Sequence, residues 1–93
     1  MNIKATYTYK GEVRESFEDG GLIWNDEFAY FLDADTDNID SSADPYFEIN
    51  LYTKWNEEKQ TYEILPSGYV NHFACTEDCK PDWSTSDVKI EIF

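Results

Sequence analysis

Residues 2–10 alternate with a period of two: Ile3, Ala5, Tyr7 and Tyr9 fall on one side, Lys4, Thr6, Thr8 and Lys10 on the other. Successive side chains of an extended chain point to opposite faces, so this pattern buries its apolar set only as a half-buried strand. The same rhythm returns twice. Phe47, Ile49, Leu51, Thr53 and Trp55 alternate with Glu48, Asn50, Tyr52 and Lys54, and Val88, Ile90 and Ile92 alternate with Asp87, Lys89 and Glu91. Three such stretches in 93 residues commit the chain to antiparallel sheet.

The segments between them supply turns and partners. Lys10-Gly11 reads as a turn, and Glu12 to Phe17 pairs back as the second arm of a hairpin. Glu18-Asp19-Gly20-Gly21 then breaks the pattern. Asn25 ahead of Asp26 and Glu27 reads as a helix N-cap with an acidic first turn, and Phe28, Phe31 and Leu32 follow at i, i+3 and i+4. That spacing predicts a short helix, although the same run is aromatic enough for a strand. Asp33 to Pro45 has one large apolar residue, Ile39, and reads as an exposed acidic loop.

Asn56 to Gln60 is a turn into a strand at 61–65, with Tyr62 and Ile64 inward. Pro66-Ser67-Gly68 leads to another strand at 69–74, and a polar loop holding Cys75, Cys79, Pro81 and Trp83 follows. The expected fold class is α+β: a small single compact domain over residues 1–93, with a twisted antiparallel sheet of five to six strands and one short helix.

Composition narrows the function classes. With 41% hydrophobic and 17% aromatic residues the chain can build a core, which disfavours disorder. Twenty acids against seven Lys and Arg give a net charge of −13, the wrong sign for binding nucleic acid or an anionic membrane directly. The first residues, Met1-Asn2-Ile3-Lys4-Ala5-Thr6, carry no apolar signal-peptide core, and the longest apolar run is Phe28 to Leu32. A cytoplasmic protein is expected, in the host cytosol if a phage encodes it. There Cys75 and Cys79 stay thiols; under oxidation they would close a small loop.

Two clusters invite a metal. Asp33, Asp35 and Asp37 hold the 1, 3, 5 spacing of an EF-hand calcium loop, with Asp44 at the twelfth place. Against it, Asn38 replaces the glycine, Asp40 sits at an apolar position, Asp44 replaces the bidentate Glu, and Pro45 blocks an exiting helix. His72, Cys75 and Cys79, with Asp78 and Asp82 nearby, could hold zinc, but the spacing matches no strong framework. No metal and no cofactor is the expectation. His72 reads as a partly buried strand histidine. As the single histidine it is also the only possible base of a nucleophilic triad, and no nucleophile motif surrounds it. No glycine-rich phosphate loop is present either. A non-enzymatic protein is expected.

The distribution of charge carries the functional expectation. Between Arg14 and Lys54 there is no Lys or Arg, while 11 acids occur, from Glu15 to Glu48. Such a block repels itself, so a folded chain that keeps it has a use for it. One use is to imitate a polyanion. Spread evenly over about 5,600 Å² of surface, the net charge is about four times more dilute than on duplex DNA, so imitation requires the acids to gather on one face. Extended, Asp33, Asp35 and Asp37 would share a face at ~6.6 Å intervals, close to phosphate spacing.

The expected function is a small inhibitory binding protein. It would occupy the basic nucleic-acid-binding surface of a nuclease, restriction system or CRISPR effector, using Asp26, Glu27, Asp33, Asp35, Asp37, Asp40, Asp44 and Trp83. In size, charge and aromatic content the chain resembles the acidic inhibitors encoded by phages and mobile elements, a likeness of composition without a shared motif. The alternatives are an immunity protein to a basic nuclease toxin and a calcium- or zinc-binding module.

Overall fold

The computed structural model describes residues 2–19, 21–25, 27–34, 45–74 and 80–93. Eight strands run through them: β1 (Asn2–Tyr9), β2 (Glu12–Asp19), β3 (Ile23–Asn25), β4 (Phe28–Ala34), β5 (Tyr46–Asn56), β6 (Thr61–Phe73), β7 (Trp83–Thr85) and β8 (Val88–Ile92). They form two antiparallel sheets, of order β2-β1-β8 and β3-β4-β5-β6-β7. The larger sheet is a meander; the smaller is the first hairpin extended by the returning C-terminal strand. The sheets pack face to face, with β8 against β6 and β2 against β4.

β1 buries the residues that its alternation selects. Ile3, Ala5, Tyr7 and Tyr9, with Ile90 of β8, meet Phe31, Phe47, Ile49, Leu51 and Val70 of the larger sheet in one core. The first hairpin closes on Lys10 and Gly11 between the paired Tyr9 and Glu12. Both turn residues have positive φ (50° and 82°), the twist that suits a two-residue connection between right-twisted strands.

The expected helix is absent, and the fold is all-β among the described residues rather than α+β. Its i, i+3, i+4 signal rests on Phe28 and Leu32, yet these are 45% and 51% exposed, while Ala29 and Phe31 are buried. The segment therefore follows a period of two. Aromatic and β-branched side chains fit a pleated surface better than a helix, and burial of Ala29 and Phe31 in the core decides the outcome. Asn25, read as a helix cap, pairs with Phe28 across the β3–β4 hairpin. Polar residues that cap helices also initiate turns, so that signal served either fold.

The expected break at Pro66-Ser67-Gly68 is a bulge inside one continuous strand. Leu51 pairs with Gly68 and Thr53 with Ile64, so three residues of β6 face the single Tyr52 of β5. Pro66, which lacks an N–H, sits where no ladder bond is required. At this bulge β6 comes very close to β5: a Cβ built on Gly68 would lie 1.8 Å from the Asn50 carbonyl oxygen and 3.1 Å from Ile90 Cδ1.

Candidate docking surface

Of the eight residues expected to bind a partner, Asp26, Asp35, Asp37, Asp40 and Asp44 lie outside the described residues, and Glu27, Asp33 and Trp83 lie within them. Glu27 is exposed at the β3–β4 turn, where it lines an open hollow of about 590 Å³ with Asn25, Phe28 and Tyr62. Its carbonyl accepts a hydrogen bond from Thr53 Oγ1, which ties the turn to β5.

Asp33 is not a loop residue. It is the penultimate residue of β4, opposite Phe47, and accepts a hydrogen bond from the buried Ser16 hydroxyl at 2.6 Å. Ser16 Oγ lies 2.7 Å from the Tyr7 hydroxyl. Because the Ser16 hydrogen goes to the carboxylate, the Tyr7 hydroxyl is the donor of that second bond. Arg14 closes the group: Nη2 donates to the Ala34 carbonyl at 3.1 Å and stands 4.0 Å from Asp33 Oδ2, and its guanidinium lies over the Phe47 ring. This network joins the two sheets at their seam, so at least part of the role of Asp33 is to hold the fold.

Burial pushes the Tyr7 phenol above its ordinary 10.0, helped by the Asp33 charge and opposed by Ser16 and Arg14. The folded state therefore favours the neutral phenol. Its stabilising contribution is complete below the unfolded value and is lost as pH rises through the raised folded value. Tyr7→Phe is expected to lower stability by about 1 kcal/mol at neutral pH through the lost hydrogen bond. The gap to the parent should shrink as pH rises above about 10, as the parent alone loses the phenol's contribution. Urea midpoints across that range test this; a constant gap would contradict it.

Trp83 opens β7 opposite His72 and is half-buried. Its ring meets Tyr9 edge-on at 4.8 Å and lies 6.3 Å from Phe47 and 6.4 Å from Tyr7. His72 is buried, as its strand position suggested, stacked on Tyr9 with Nδ1 2.6 Å from Asp82 Oδ1. The Asp82 amide also donates to the His72 carbonyl at 2.9 Å, so this pair pins the segment before β7 onto β6. Cys75, Asp78 and Cys79 lie outside the described residues, as does most of the acidic loop. Among the described residues no three His, Cys, Asp or Glu side chains converge as a metal site, and no helix is long and apolar enough to cross a membrane.

The described acids of the cation-free block do not share one face. Glu15 pairs with Lys4 at 3.4 Å on the outside of the small sheet, Asp33 sits at the seam, and Glu48 is on the outside of the large sheet. The total surface of 6150 Å² carries one net charge per about 470 Å², against about 110 Å² for duplex DNA.

A different feature stands out on the large sheet. The register stacks three rows on its outer side: Ala34, Tyr46 and Phe73; Leu32, Glu48 and Asn71; Tyr30, Asn50 and Tyr69. Tyr46 stacks on Phe73 at 5.1 Å, and Tyr69 lies 5.9 Å from the ring of Tyr52. Only Glu48 in these rows is charged. Its Oε1 accepts hydrogen bonds from Asn50 Nδ2 at 2.9 Å and Asn71 Nδ2 at 3.3 Å, which fix the carboxylate in the middle row. Burial and the Glu48 charge both push the Tyr69 phenol upward, with a smaller contribution from Tyr52.

The sequence alternation sets Glu48, Asn50 and Tyr52 opposite Phe47, Ile49 and Leu51 but does not show that Asn50 is buried on that side. The available signal was that their neighbours on that side, Tyr30, Leu32 and Tyr69, are not the charges a solvated face carries.

Known protein families, curated proteins and solved structures offer no match to this chain. The functional reading therefore rests on its own residues.

Proposed function

We propose that the protein is a non-enzymatic, acidic binding protein that engages the basic nucleic-acid-binding surface of another protein, such as a nuclease or a host-defence effector. The observation that supports this is the uncompensated charge. The net value is −13, and much of the small cationic complement is taken up locally, in Lys4–Glu15, Lys59–Glu63 and Lys89–Glu91. A basic partner gains both attraction at long range and relief of self-repulsion on contact. An immunity protein for a basic nuclease toxin is one member of the same partner class.

The scattered positions of Glu15, Asp33 and Glu48 favour a particular division of labour. Net charge steers and orients the encounter, while a separate surface provides the close contact. Association with a basic nuclease should accordingly be fast and salt-sensitive. Its rate is expected to fall at least tenfold between about 0.05 M and 0.5 M salt, while the dissociation rate changes much less. Stopped-flow or surface-based kinetics across a panel of basic nucleases measures this. A salt-independent association rate, or competition-insensitive binding that leaves the partner's nucleic-acid channel open, would overturn the proposal.

A further inference from the structure

We infer that the outer face of the five-stranded sheet is the contact surface, and that it receives an arginine side chain of the partner on Glu48. The inference rests on the reading above, that the partner is basic, and says where and how it is held.

Among the described residues the smaller sheet packs on the opposite side of these rows, and the exposed apolar members of the rows are poorly suited to water. Leu32, in the middle row, and Tyr52, beside Tyr69, are 51% and 43% exposed, while Asn50 and Phe73 in the same rows are buried. A carboxylate in such a setting is the focus of recognition, because it offers the only charge over the three rows. Two asparagine amides hold Oε1, and no described residue donates a hydrogen bond to Oε2. A carboxylate has more acceptor capacity than two donors fill, so a cation can be received without breaking either bond.

Charge decides the occupant. A second copy docked symmetrically about the middle row would bring two Glu48 carboxylates together across an isologous contact, between chains that each carry −13. A basic partner meets no such penalty. Arginine suits the site better than lysine: its planar guanidinium can take the carboxylate with one edge and lie against a tyrosine ring with its face. Tyr69, in the row beside Glu48, and Tyr52 next to it at the bulge offer such rings. Tyrosine anchors around a desolvated charge are also the composition expected at the energetic centre of an interface.

The test uses the intact chain with capped oligo-arginine and oligo-lysine peptides of equal length, followed by amide chemical shifts. Arginine peptide is expected to shift Glu48, Asn50, Asn71 and Tyr69, and Glu48→Gln to weaken it about tenfold, with a smaller loss for the lysine peptide. Glutamine still accepts from both asparagines, so the variant should keep its melting temperature. Should it unfold, Tyr52→Ala, an exposed position outside the core, is expected to weaken the arginine peptide at least threefold. Shifts confined to other acids such as Glu57, Glu58 and Asp87, with Glu48→Gln without effect, would overturn the assignment of this face and leave the basic-partner reading standing. Absence of binding by either peptide at low salt would overturn both. Concentration-dependent dimerisation abolished by Tyr52→Ala would show a second copy on the face and overturn the arginine assignment.

Discussion

Gly68→Ala is expected to lower the stability of the fold by about 3–5 kcal/mol, a large share of what a domain of this size has. The new methyl group would lie 1.8 Å from the Asn50 carbonyl oxygen, and 2.9 Å from the carbon that bears it. Those atoms are backbone, and no rotamer change relieves them. Either β5 and β6 separate at the Leu51–Gly68 pair or the bulge opens, and Ile90 Cδ1 at 3.1 Å blocks movement toward the small sheet. Gly11→Ala is the natural comparison. Nothing lies within 4 Å of a Cβ there, so its cost is only that of holding φ near 82°, about 1 kcal/mol. Urea midpoints of the two variants separate steric exclusion from conformational freedom. Equal midpoints would show that β5 and β6 are not in close contact at the bulge.

How far this architecture is legible from the residues depends on whether a single signal acts alone. In β1 it does: apolar and polar residues alternate without exception, the turn at Lys10-Gly11 follows, and the hairpin and its buried face can be written down directly. In residues 25–32 two signals compete. A cap-like Asn25 and a 3.6-residue spacing of Phe28, Phe31 and Leu32 argue for a helix, and nothing local reveals that Phe31 will meet a core supplied by β1 and β5. Tertiary burial overrides propensity there, and the chain is all-β as a result.

Pro66 misleads in the other direction. It reads as the end of a strand, because a bulge that tolerates it exists only once β5 is alongside. Trp83 stands in a polar stretch and suggests an interface, yet its neighbours Tyr9 and Phe47 are more than 30 residues away in sequence. The outer rows of the large sheet lie beyond local reading for the same reason. Each strand contributes only three residues, and their largely uncharged character shows only when the register sets β4, β5 and β6 side by side.

Phe47→Ala is expected to cost about 4–5 kcal/mol, because Phe47 is fully buried where both sheets and the Arg14 network meet. Its ring lies 5.4 Å from Tyr7, 4.9 Å from Tyr9, 4.8 Å from His72 and 6.3 Å from Trp83, and the Arg14 guanidinium is 4.4 Å above it. Truncation removes the transfer energy of the ring and leaves a cavity that four rigid neighbours cannot fill. It also removes the face on which a partly desolvated cation rests. Phe47→Leu retains most of the volume and should cost about 1–2 kcal/mol. Near-ultraviolet circular dichroism should weaken in both variants as the aromatic cluster loosens, more so in the alanine variant.

The leucine variant also separates core from surface. Phe47 points inward between Tyr46 and Glu48, which point outward, so a volume-conserving change beneath the sheet should leave the arginine peptide's affinity within about twofold. Equal losses of stability in the two variants would show that Phe47 does not fill the space between the sheets. A tenfold loss of peptide binding in the folded leucine variant would show that the outer rows depend on the ring beneath them rather than on Glu48 and its tyrosines.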